Sequence, residues 1–572
     1  MNKRTIVSMI ISLTLLASCS SAENKTVQST TSEPSKDTGS ASVTAATEIV
    51  GSDNETEEIS DTETEEQQQE RVVYHFNEID HNAVESHQRP VERVENEVDQ
   101  EILQTANQRR EAIKSSSSDL EISGTAYYVS EDGSDSNSGL SPEDAWQTIS
   151  KVNASSLNPG DAVLFKRGET WRGECLRLIP GVTYSAFGEG VKPAIYGSPE
   201  NGTGAEKWTL MEGTENIWVY CKDLLECGTI VLNDETGAFK INAFVRDGQF
   251  LMPDGSGREF DVKEALDRDL SFWSEDTYFL THGNAWEDER VPIKLYLRCD
   301  EGNPGEIYSS IEFCTWTVTD GGKGLLYTVD ESRDVIIVDD LTLKYTGGYG
   351  IYLTGASAVV QNCEIGWIGG CTTNTGEELF IRSGNCVGNF GAVENYQVRN
   401  CYLYQAFDSG ISSEGAEWNQ KDIIFTGNLI ENCLFGIEML SGDDAGVDMV
   451  LEDAEMSDNI ITYSGYGFGS VRQQKYWNIH DVAIMFHPYY DALTNVRIEN
   501  NVLYKSRTYL ILCGTKEKPM LTGNTYIQNN MGGLCLWGNN GGLDEYLYDI
   551  YAAETVREIL RDESAVVAEL SY

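Results

Sequence analysis

The stretch VRNCYLYQAFDSGISSEG, residues 398–415, contains two short apolar segments separated by polar and glycine residues that are typical of turns. The first segment runs from Val398 through Asn400 and Cys401 to Leu403, and the second begins at Gly410. The same order of residue types recurs on both sides of this stretch, and the recurrence predicts the fold.

The first segment has further readable copies, each with a hydrophobic residue, any residue, and then Asn, Asp or Gly. The copies begin at Ile337, Val360, Val398, Phe425, Met456, Ile498 and Leu521. Successive starts differ by 23, 38, 27, 31, 42 and 23 residues. Strand-length segments that repeat with insertions of variable length predict a solenoid of parallel β-strands. The hairpins of an antiparallel sandwich would not give this spacing.

Stacking of coils explains why such a repeat folds. One coil cannot bury its apolar face alone, whereas coils stacked about 4.8 Å apart form a continuous core and pair each strand in parallel with the next coil. The Asn, Asp or Gly of each copy is expected at a tight bend, where it tolerates left-handed backbone angles and bonds along the stack. Cys363, Cys401 and Cys433 recur beside these bends and are expected as stacked buried thiols. Export would also permit disulfides, so both alternatives stay open.

Both ends of the repeat region contain helix signals. In GLSPEDAWQTISKV, residues 139–152, Ser141 is a suitable N-cap with Pro142 at the first helical position. Trp146, Ile149 and Val152 then form one apolar face. The segment IYAAETVREILRDESAVVAEL, residues 550–570, predicts a closing helix. Such helices cover the exposed edges of the terminal coils.

The repeat, together with the segment YYVSEDGSDSNSGLSPEDAWQTIS at residues 127–150 and the strand PGDAVLFKRG at residues 159–168, resembles the right-handed parallel β-helix proteins of the pectin-lyase-like superfamily. The resemblance implies an all-β fold over residues 120–572, a right-handed parallel β-helix (solenoid) with an N-terminal capping helix and a C-terminal helix. The repeat is not readable between residues 208 and 308, where we expect an inserted strand-rich region. The superfamily includes lyases, hydrolases and proteins of no known activity, so function must be inferred from the site.

The first 119 residues differ in composition from the rest. Lys3, Arg4, the apolar run 6–16 and the sequence Leu-Ala-Ser-Cys that ends at Cys19 resemble a bacterial lipoprotein signal, residues 1–19, with Cys19 as the lipid-modified N-terminus. An ordinary secretory signal is the alternative. Residues 20–119 are rich in Ser, Thr, Glu, Asp and Gln and predict a disordered tether, with a solvated helix near residues 88–113. We therefore expect an exported lipoprotein, anchored to the membrane and facing the outside of a bacterial cell.

The charge balance argues against one class of partner. The chain has 92 acidic and 41 basic residues, and its net charge of −51 repels phosphates, so we expect no nucleic acid partner. The same charge disfavours binding of polyanionic glycans, unless calcium ions bridge the acidic groups of the glycan to those of the protein. The acidic segment SGDDAGVDMVLED, residues 441–453, could hold calcium, but it lacks EF-hand spacing and a hydrated loop is preferred. No cofactor is predicted, and we expect a monomer.

Alternation along the strands predicts a groove lined with carboxylates. The inward side chains are expected to be Ile351, Ile411, Ile437, Phe468 and Ile484. The outward rows are then Tyr352, Ser412, Glu438, Gly469 and Met485, and, two residues on, Thr354, Glu414, Leu440, Val471 and His487. Glu414 and Glu438 lie one diagonal step apart, at roughly 6–9 Å, within the range of the two carboxyl groups of glycoside hydrolases. Asp408 is a third candidate. Solvated acids, or an Asp408 that caps a bend, are the alternatives.

Basic and aromatic residues cluster close to these acids in the sequence. Arg472, Lys475, His480 and His487 follow Glu438, together with Trp477 and several tyrosines on which sugar rings could stack. Arg382 and Asn385 are expected to reach the same groove. The predicted catalytic residues are Glu438, Glu414, Asp408, Arg472 and His480. The predicted substrate-binding residues are Arg382, Asn385, Lys475, Trp477, His487 and Tyr352.

The preferred function is that of a glycoside hydrolase acting on a polysaccharide or oligosaccharide, with Glu438 and either Glu414 or Asp408 as its carboxyl pair. One alternative is a polysaccharide lyase, in which Lys475, Arg472 or His480 removes the proton next to a uronate carboxylate. The other is a non-catalytic surface protein that binds glycan. The acidic charge favours the hydrolase over the lyase.

Overall fold

The computed structural model describes most of the chain from residue 97 to residue 568. The described ranges are 97–118, 120–246, 249–253, 256–274, 291–316, 323–329, 331–376, 379–382, 384–415, 419–441, 449–471, 481–487, 490–529, 532–539 and 542–568. The signal segment with Cys19 and residues 20–96 of the tether lie outside them. Within these ranges, no helix combines the length and the apolar composition that crossing a membrane requires.

Three long sheets, mostly parallel, surround one core in the described part of the chain, and a typical coil contributes one strand to each. In the coil that contains residues 398–415, strand Glu394–Arg399 belongs to sheet A, Tyr402–Ala406 to sheet B and Ser409–Gly415 to sheet C. The following strand, Gln420–Thr426, pairs in parallel with Glu394–Arg399 and starts the next coil. The protein is therefore a right-handed parallel β-helix, as predicted.

The strands of each sheet follow in spatial order. Sheet A contains Ala126–Val129, Ala162–Lys166, Thr183–Phe187, Ile336–Asp339, Ala358–Gln361, Glu394–Arg399, Gln420–Thr426, Val450–Ser457, Ala492–Glu499 and Met520–Thr522. Sheet B contains Thr236–Gly237, Cys227–Leu232, Ile311–Thr315, Thr342–Thr346, Glu364–Ile368, Tyr402–Ala406, Leu429–Glu431, Ile460–Thr462, Val502–Tyr504, Thr525–Ile527 and Val566–Val567, with Thr170–Arg172 and Ala194–Tyr196 at one side. Sheet C contains Leu176–Arg177, Gly324–Tyr327, Tyr349–Thr354, Val387–Phe390, Ser409–Gly415, Phe435–Ser441, Val482–Phe486, Tyr509–Cys513, Gly533–Asn539 and the antiparallel Gly542–Leu547.

The sequence repeat corresponds to the end of each sheet A strand. Val360 pairs with Val398, and the later copies continue this register through Phe425, Met456, Ile498 and Leu521. The first copy was placed one residue too early, because Val338, not Ile337, pairs with Val360. The position two residues on has a positive φ in each of these copies: Asp340, Asn362, Asn400, Gly427, Asp458, Asn500 and Gly523. The predicted left-handed bend is therefore confirmed.

A ladder of buried asparagines follows these bends in the later coils. The ladder consists of Asn428, Asn459, Asn501 and Asn524. In each successive pair, the side-chain oxygen of the later asparagine accepts hydrogen bonds at 2.9–3.0 Å from the backbone N–H and the side-chain NH₂ of the earlier one. Asp562 ends the ladder, because its carboxylate accepts hydrogen bonds from Asn524 at 2.8 and 3.1 Å. In the earlier coils the same position holds Cys363 and Cys401, which are buried free thiols.

The two ends of the solenoid are closed by short helices. Ser141 precedes a helical turn with Pro142 at its first position, as predicted, but Pro142–Asp144 is a single 3₁₀ turn and the Ser141 side chain does not cap it. Helix α2 is Ile149–Asn153, and the Thr148 side chain caps it by accepting from the Lys151 N–H. Trp146, Ile149 and Val152 pack on the core as expected. At the other end, Tyr548–Glu554 is α-helical and Thr555–Leu560 continues as a π-helical turn, with Val556 and Leu560 buried.

Helix α1, Glu97–Ser115, packs along the outer face of sheet B. Its apolar residues Ile102, Ala106 and Ile113 are buried there, and Arg110 bonds Glu431 on the sheet at 2.5 Å. The expectation of a solvated helix was therefore wrong. A helix of this charged sequence would be only marginally stable alone in water, and burial of its three apolar residues against sheet B stabilises it.

A separate sheet interrupts the repeat. Its five strands, in spatial order, are Phe239–Lys240, Ser271–Ser274, Leu295–Arg298, Ile217–Tyr220 and Trp208–Leu210. The short hairpin Phe244–Arg246 with Gln249–Leu251 and the helices Val262–Ala265 and Pro304–Ile307 lie in the same part of the chain, as does the 3₁₀ turn Ala205–Lys207. A second hairpin, Thr372–Gly376 with Leu379–Arg382, extends from the solenoid between sheets B and C.

Candidate active site

The register of sheet C brings two glutamates onto adjacent coils. Ser412 pairs with Glu438, and Glu414 pairs with Leu440, two residues past Glu438. Because alternate residues of a strand share a face, Glu414 and Glu438 are diagonal neighbours on the outer face, with Cα atoms about 8 Å apart. The diagonal arrangement predicted from the sequence is therefore present.

One part of the predicted rows was wrong. Phe468–Val471 forms a 3₁₀ turn, and Phe468 packs against Trp367 and Phe407 on the sheet B side. The strand that follows Phe435–Ser441 in sheet C is Val482–Phe486, with Met485 opposite Glu438. Gly469 and Val471 therefore do not belong to the groove. The Gly-led segment GFGS, residues 467–470, resembles a strand in sequence because a 3₁₀ turn can bury the same kind of apolar residue.

Glu438 lies in a polar cradle and is 8% exposed. The Ser409 hydroxyl, from the preceding coil, donates a hydrogen bond to Oε2 of Glu438. The Nε2 atom of His487, from the following coil, lies 3.1 Å from Oε1. A hydroxyl group that donates a hydrogen bond to a carboxyl oxygen favours the ionised form of that carboxyl group. This environment suits a carboxylate that acts as a base or a nucleophile.

Glu414 has the opposite tendency. Burial, together with the neighbouring carboxyl groups of Glu438 and Asp408, raises its pKa well above the ordinary value of a glutamate. Hydrogen bonds from Ser412 and Asn385 act in the other direction but do not reverse the shift. A carboxyl group with a raised pKa keeps its proton at higher pH, as a general acid requires. Glu414 is therefore the better candidate for the acid of the pair.

Asp408 lies at the bend between sheets B and C, immediately before Ser409. Its N–H donates to the Gly384 carbonyl at 3.2 Å, and its carbonyl accepts from the N–H groups of Leu434 and Phe435. The residue is buried, and its carboxyl group is close enough to raise the pKa of Glu414. Asp408 thus contributes negative charge beside the pair.

Aromatic rings form one wall beside the carboxyl groups. Phe390 pairs in register with Glu414, and its ring stacks on Tyr352 with centroids 4.6 Å apart and planes 22° apart. Gly388 makes this possible, since a Cβ there would lie 2.8 Å from the Phe390 ring. Tyr352 is nearly buried under Phe390, which is partly exposed. We call Tyr352 and Phe390 the aromatic platform. The sequence rows included Tyr352 but missed Phe390, whose place in the Glu414 row could have been read from the strand after Gly388.

The other side of the carboxyl groups is apolar. Met485, Leu512 and Leu536 continue the Glu438 row along successive coils. These three side chains belong to one buried cluster with Phe435 and Tyr509. The carboxyl pair therefore lies between an aromatic and an apolar surface, which lowers the local polarity and strengthens charge interactions at the pair.

Arg382 does not reach the groove, contrary to expectation. It is 3% exposed, its Nε donates to the Gly370 carbonyl at 2.6 Å and its Nη2 to the Gly228 carbonyl at 3.0 Å. Its guanidinium group also lies 4.2 Å from the Phe407 ring centroid, and burial lowers its pKa to about 10. Arg382 therefore joins backbone segments of the solenoid and the inserted region. Asn385 is also buried, behind the carboxyl groups rather than in the groove.

Other sequence predictions fall outside the described ranges. These are Arg472, Lys475, Trp477 and His480, and, in the acidic segment 441–453, Asp443, Asp444 and Asp448. Two further acids of that segment are described: Glu452 pairs with Lys421 at 3.3 Å, and Asp453 accepts from Asn495 at 2.7 Å. Among the described side chains, no group of three or more His, Cys, Asp or Glu is arranged to hold a metal ion.

Two kinds of sequence comparison match parts of this chain. The family described as "Right handed beta helix region" matches residues 325–481. A curated relative, lacto-N-biosidase of Bifidobacterium longum subsp. longum, is 35% identical over 117 residues, which are 18% of this chain and 7% of the relative. The matched segment thus spans a small fraction of that relative's length.

Solved structures with a similar fold have low identity to this chain. A glycoside hydrolase structure is 11% identical, covers 73% of this chain and 96% of its own, and has a TM-score of 0.41. The GH136 lacto-N-biosidase from Eubacterium ramulus is 12% identical, covers 82% of this chain and 70% of its own, and has a TM-score of 0.30. The β-helix family match includes the coils that carry Asp408, Glu414 and Glu438.

Proposed function

We propose that this protein is a glycoside hydrolase that cleaves an oligosaccharide or polysaccharide in the sheet C groove. The observation that carries the proposal is the pair of glutamates on adjacent coils in unlike surroundings. Glu438 accepts a hydrogen bond from Ser409 and lies beside His487, whereas the pKa of Glu414 is raised by burial and by two carboxyl neighbours. The reaction as proposed uses water and no cofactor.

The proposed roles follow from these surroundings. Glu414, as the carboxylic acid, gives its proton to the glycosidic oxygen while the bond between that oxygen and the anomeric carbon breaks. Glu438, as the carboxylate, acts at the anomeric carbon, either by taking a proton from the attacking water or by forming a covalent glycosyl intermediate that water then hydrolyses. The anomeric configuration of the first product, read by NMR, distinguishes these two routes.

The remaining groove residues support a sugar substrate. The aromatic platform lies one strand from Glu414 and offers a partly exposed ring on which a pyranose can stack. His487 lies at the edge of the pair, where it can hydrogen-bond to a hydroxyl group as well as to Glu438. The partial identity to a lacto-N-biosidase supports lacto-N-biosides as the first substrates to test.

The test is a screen for cleavage. The purified protein is incubated with p-nitrophenyl lacto-N-bioside and with a panel of neutral oligosaccharides, and new reducing ends are measured. We expect cleavage by the wild type and a loss of about 10²–10⁴-fold in Glu438→Gln. Glu455→Gln is the matched control, since Glu455 is also a strand glutamate with a side-chain partner, Arg497 at 2.7 Å, but lies on sheet A. It should cleave at the wild-type rate.

Other outcomes of the screen would replace the proposal. With uronate-containing glycans added to the panel, an oligosaccharide product that gains ultraviolet absorbance identifies an unsaturated sugar and hence a polysaccharide lyase. Retained glycan binding without any new reducing end identifies a non-catalytic binding protein. Equal activity in wild type and Glu438→Gln removes Glu438 from the reaction.

We also propose that the chain is an exported lipoprotein attached through Cys19. The support is the sequence around that residue, with basic residues, an apolar run and small residues before the cysteine. Metabolic labelling with a fatty acid in a bacterial host should label the wild type, and Cys19→Ala should abolish the label. A labelled Cys19→Ala protein would contradict the anchor.

A further inference from the structure

Every polar atom of the Asn385 side chain makes a hydrogen bond within the protein. Its Nδ2 donates to Ser412 Oγ at 2.7 Å and to Glu414 Oε1 at 3.0 Å, and its Oδ1 accepts from the Ser409 N–H at 3.0 Å. The bond from a backbone N–H fixes which end of the amide is the oxygen. The residue is 1% exposed, so no polar group of Asn385 remains for a sugar.

These contacts belong to a continuous chain of hydrogen bonds between the two carboxyl groups. From Glu414 the chain passes through the Asn385 amide to the Ser409 backbone, and from the Ser409 hydroxyl to Glu438. Asn385 precedes the strand Val387–Phe390, Ser409 begins the next strand of sheet C, and Glu438 lies in the middle of the strand after that. One buried amide therefore sets the position of groups on both sides of the catalytic pair.

We propose that Asn385 is a positioning residue of the active site, which orients Glu414 directly and Glu438 through Ser409. This inference rests on the proposed function and replaces the expectation that Asn385 binds substrate. A fixed orientation matters because a displacement of about 1 Å at a reacting group can cost about 100-fold in rate. A neutral amide is suited to this place, since it donates to Glu414 without adding charge between two acids.

The Asn385 amide also limits how firmly Glu414 holds its proton. A hydrogen bond donated to a carboxylate favours the ionised form, so its loss raises the pKa further. The ionisable groups that face this carboxyl from the packed elements of the described chain are Asp408, Glu438, Tyr352, Tyr396 and Tyr490, with His487 beyond Glu438. In Asn385→Asp, the new carboxyl would add a negative charge to this set.

The kinetic test compares Asn385→Ala and Asn385→Asp with Asn389→Ala. Asn389 is a matched control because it is a buried asparagine four residues on, which donates to the Ala356 carbonyl and contacts neither glutamate. We expect kcat to fall about 10- to 100-fold in both Asn385 variants with KM little changed. Asn389→Ala should keep the wild-type kcat if folded. A rise in KM with unchanged kcat would show substrate binding instead and overturn the inference.

A second measurement does not depend on activity. The infrared C=O band of a protonated carboxylic acid is followed with pH in the full-length protein, and the part lost in Glu414→Gln is assigned to Glu414. We expect its midpoint to move up by about one pH unit in both Asn385 variants, and not in Asn389→Ala. An unmoved midpoint in folded variants would overturn the inference. If Asn385→Ala fails to fold, Asn385→Asp, which has the same size, carries the test.

The two arms separate the inference from the proposed function. If the wild type cleaves no glycan while the infrared midpoint shifts, the proposed function fails and the control of Glu414 by Asn385 stands. If Glu438→Gln is inactive while Asn385 variants match the wild type in kcat and midpoint, the hydrolase stands and the positioning role fails.

Discussion

Ser409 and Glu438 lie on adjacent coils of sheet C, and the hydroxyl of Ser409 donates a hydrogen bond to the carboxylate of Glu438. Ser409 begins the strand that also carries Glu414, so one strand carries one carboxyl group of the pair and hydrogen-bonds the other. The β-helix makes this possible because side chains separated by a whole coil in sequence lie one strand apart in space.

Replacing Ser409 by alanine tests this bond. We expect Ser409→Ala to lower kcat about tenfold, because a hydrogen bond to a charged group is worth about 1.5–3 kcal/mol and part of that is made in the ground state as well. Steady-state kinetics on the cleaved glycan measure the effect. Ser413→Ala is the control, since Ser413 lies on the same strand but bonds Gln420 at 2.7 Å. Equal losses in both variants would contradict a specific role for Ser409.

If Glu414 is the acid, the loss of rate in a Glu414 variant should depend on the leaving group of the substrate. Glu414→Gln should lose about 10²-fold or more on an unactivated oligosaccharide, whose leaving oxygen needs a proton, and far less on a p-nitrophenyl glycoside, which leaves as a stable anion. For the wild type, kcat/KM on the oligosaccharide should fall as pH rises through the elevated pKa of Glu414, since the proton is then lost. The same loss on both substrates would assign Glu414 another role.

If a sugar ring stacks on the aromatic platform, removal of the Phe390 ring should weaken substrate binding. Phe390→Ala should raise KM about tenfold with a smaller change in kcat, because an aromatic stacking contact is worth about 0.5–1.5 kcal/mol. Phe390→Tyr keeps the ring and should bind like the wild type. A fall in kcat with unchanged KM would show that Phe390 supports the carboxyl pair and not the sugar.

The buried carboxyl group of Asp481 should make the stability of the folded protein depend on pH, independently of catalysis. Its side chain is 0% exposed, Arg507 lies 3.2 Å away, and burial raises its pKa to about 7. Because the folded-state pKa exceeds the ordinary 3.8, the stabilisation is complete at pH below 3.8 and is lost as pH rises through about 7. The melting temperature should therefore be lower at pH 8 than at pH 5.

Asp481→Asn checks this assignment. A shift of about three pKa units corresponds to at most about 4 kcal/mol, so the variant should reduce the loss of stability between pH 5 and pH 8. The exposed acid Asp334 provides the control variant Asp334→Asn. Thermal unfolding followed by circular dichroism measures both. If the two variants show the same pH dependence as the wild type, Asp481 is not the responsible group.

Much of the fold could be predicted from the sequence because it is periodic. The apolar residue and the bend residue of each sheet A strand recur, and both positions depend on local backbone geometry. The misplaced start at Ile337 and the misread strand at Phe468 show the limit: a run of apolar residues does not itself specify register or distinguish a strand from a 3₁₀ turn. Helix α1 was misjudged because its burial depends on a sheet assembled from distant coils.

The site was predictable only in part. The diagonal of Glu414 and Glu438 followed from strand alternation, once the repeat had aligned the coils. The contacts of Ser409 and Asn385 depend on side-chain directions at the sheet B to sheet C bend, which no spacing reveals. Arg382 seemed informative because basic residues are scarce, yet its side chain donates to the backbone carbonyls of Gly370 and Gly228.

The most direct test of the carboxyl pair compares Glu414→Gln, Glu438→Gln and the double variant on one unactivated oligosaccharide. If the two groups act in the same step, each single variant should lose about 10²-fold or more, and the double variant should be little slower than the slower single variant. Wild-type activity in either single variant, or losses that multiply fully in the double variant, would contradict a hydrolysis carried out jointly by Glu414 and Glu438.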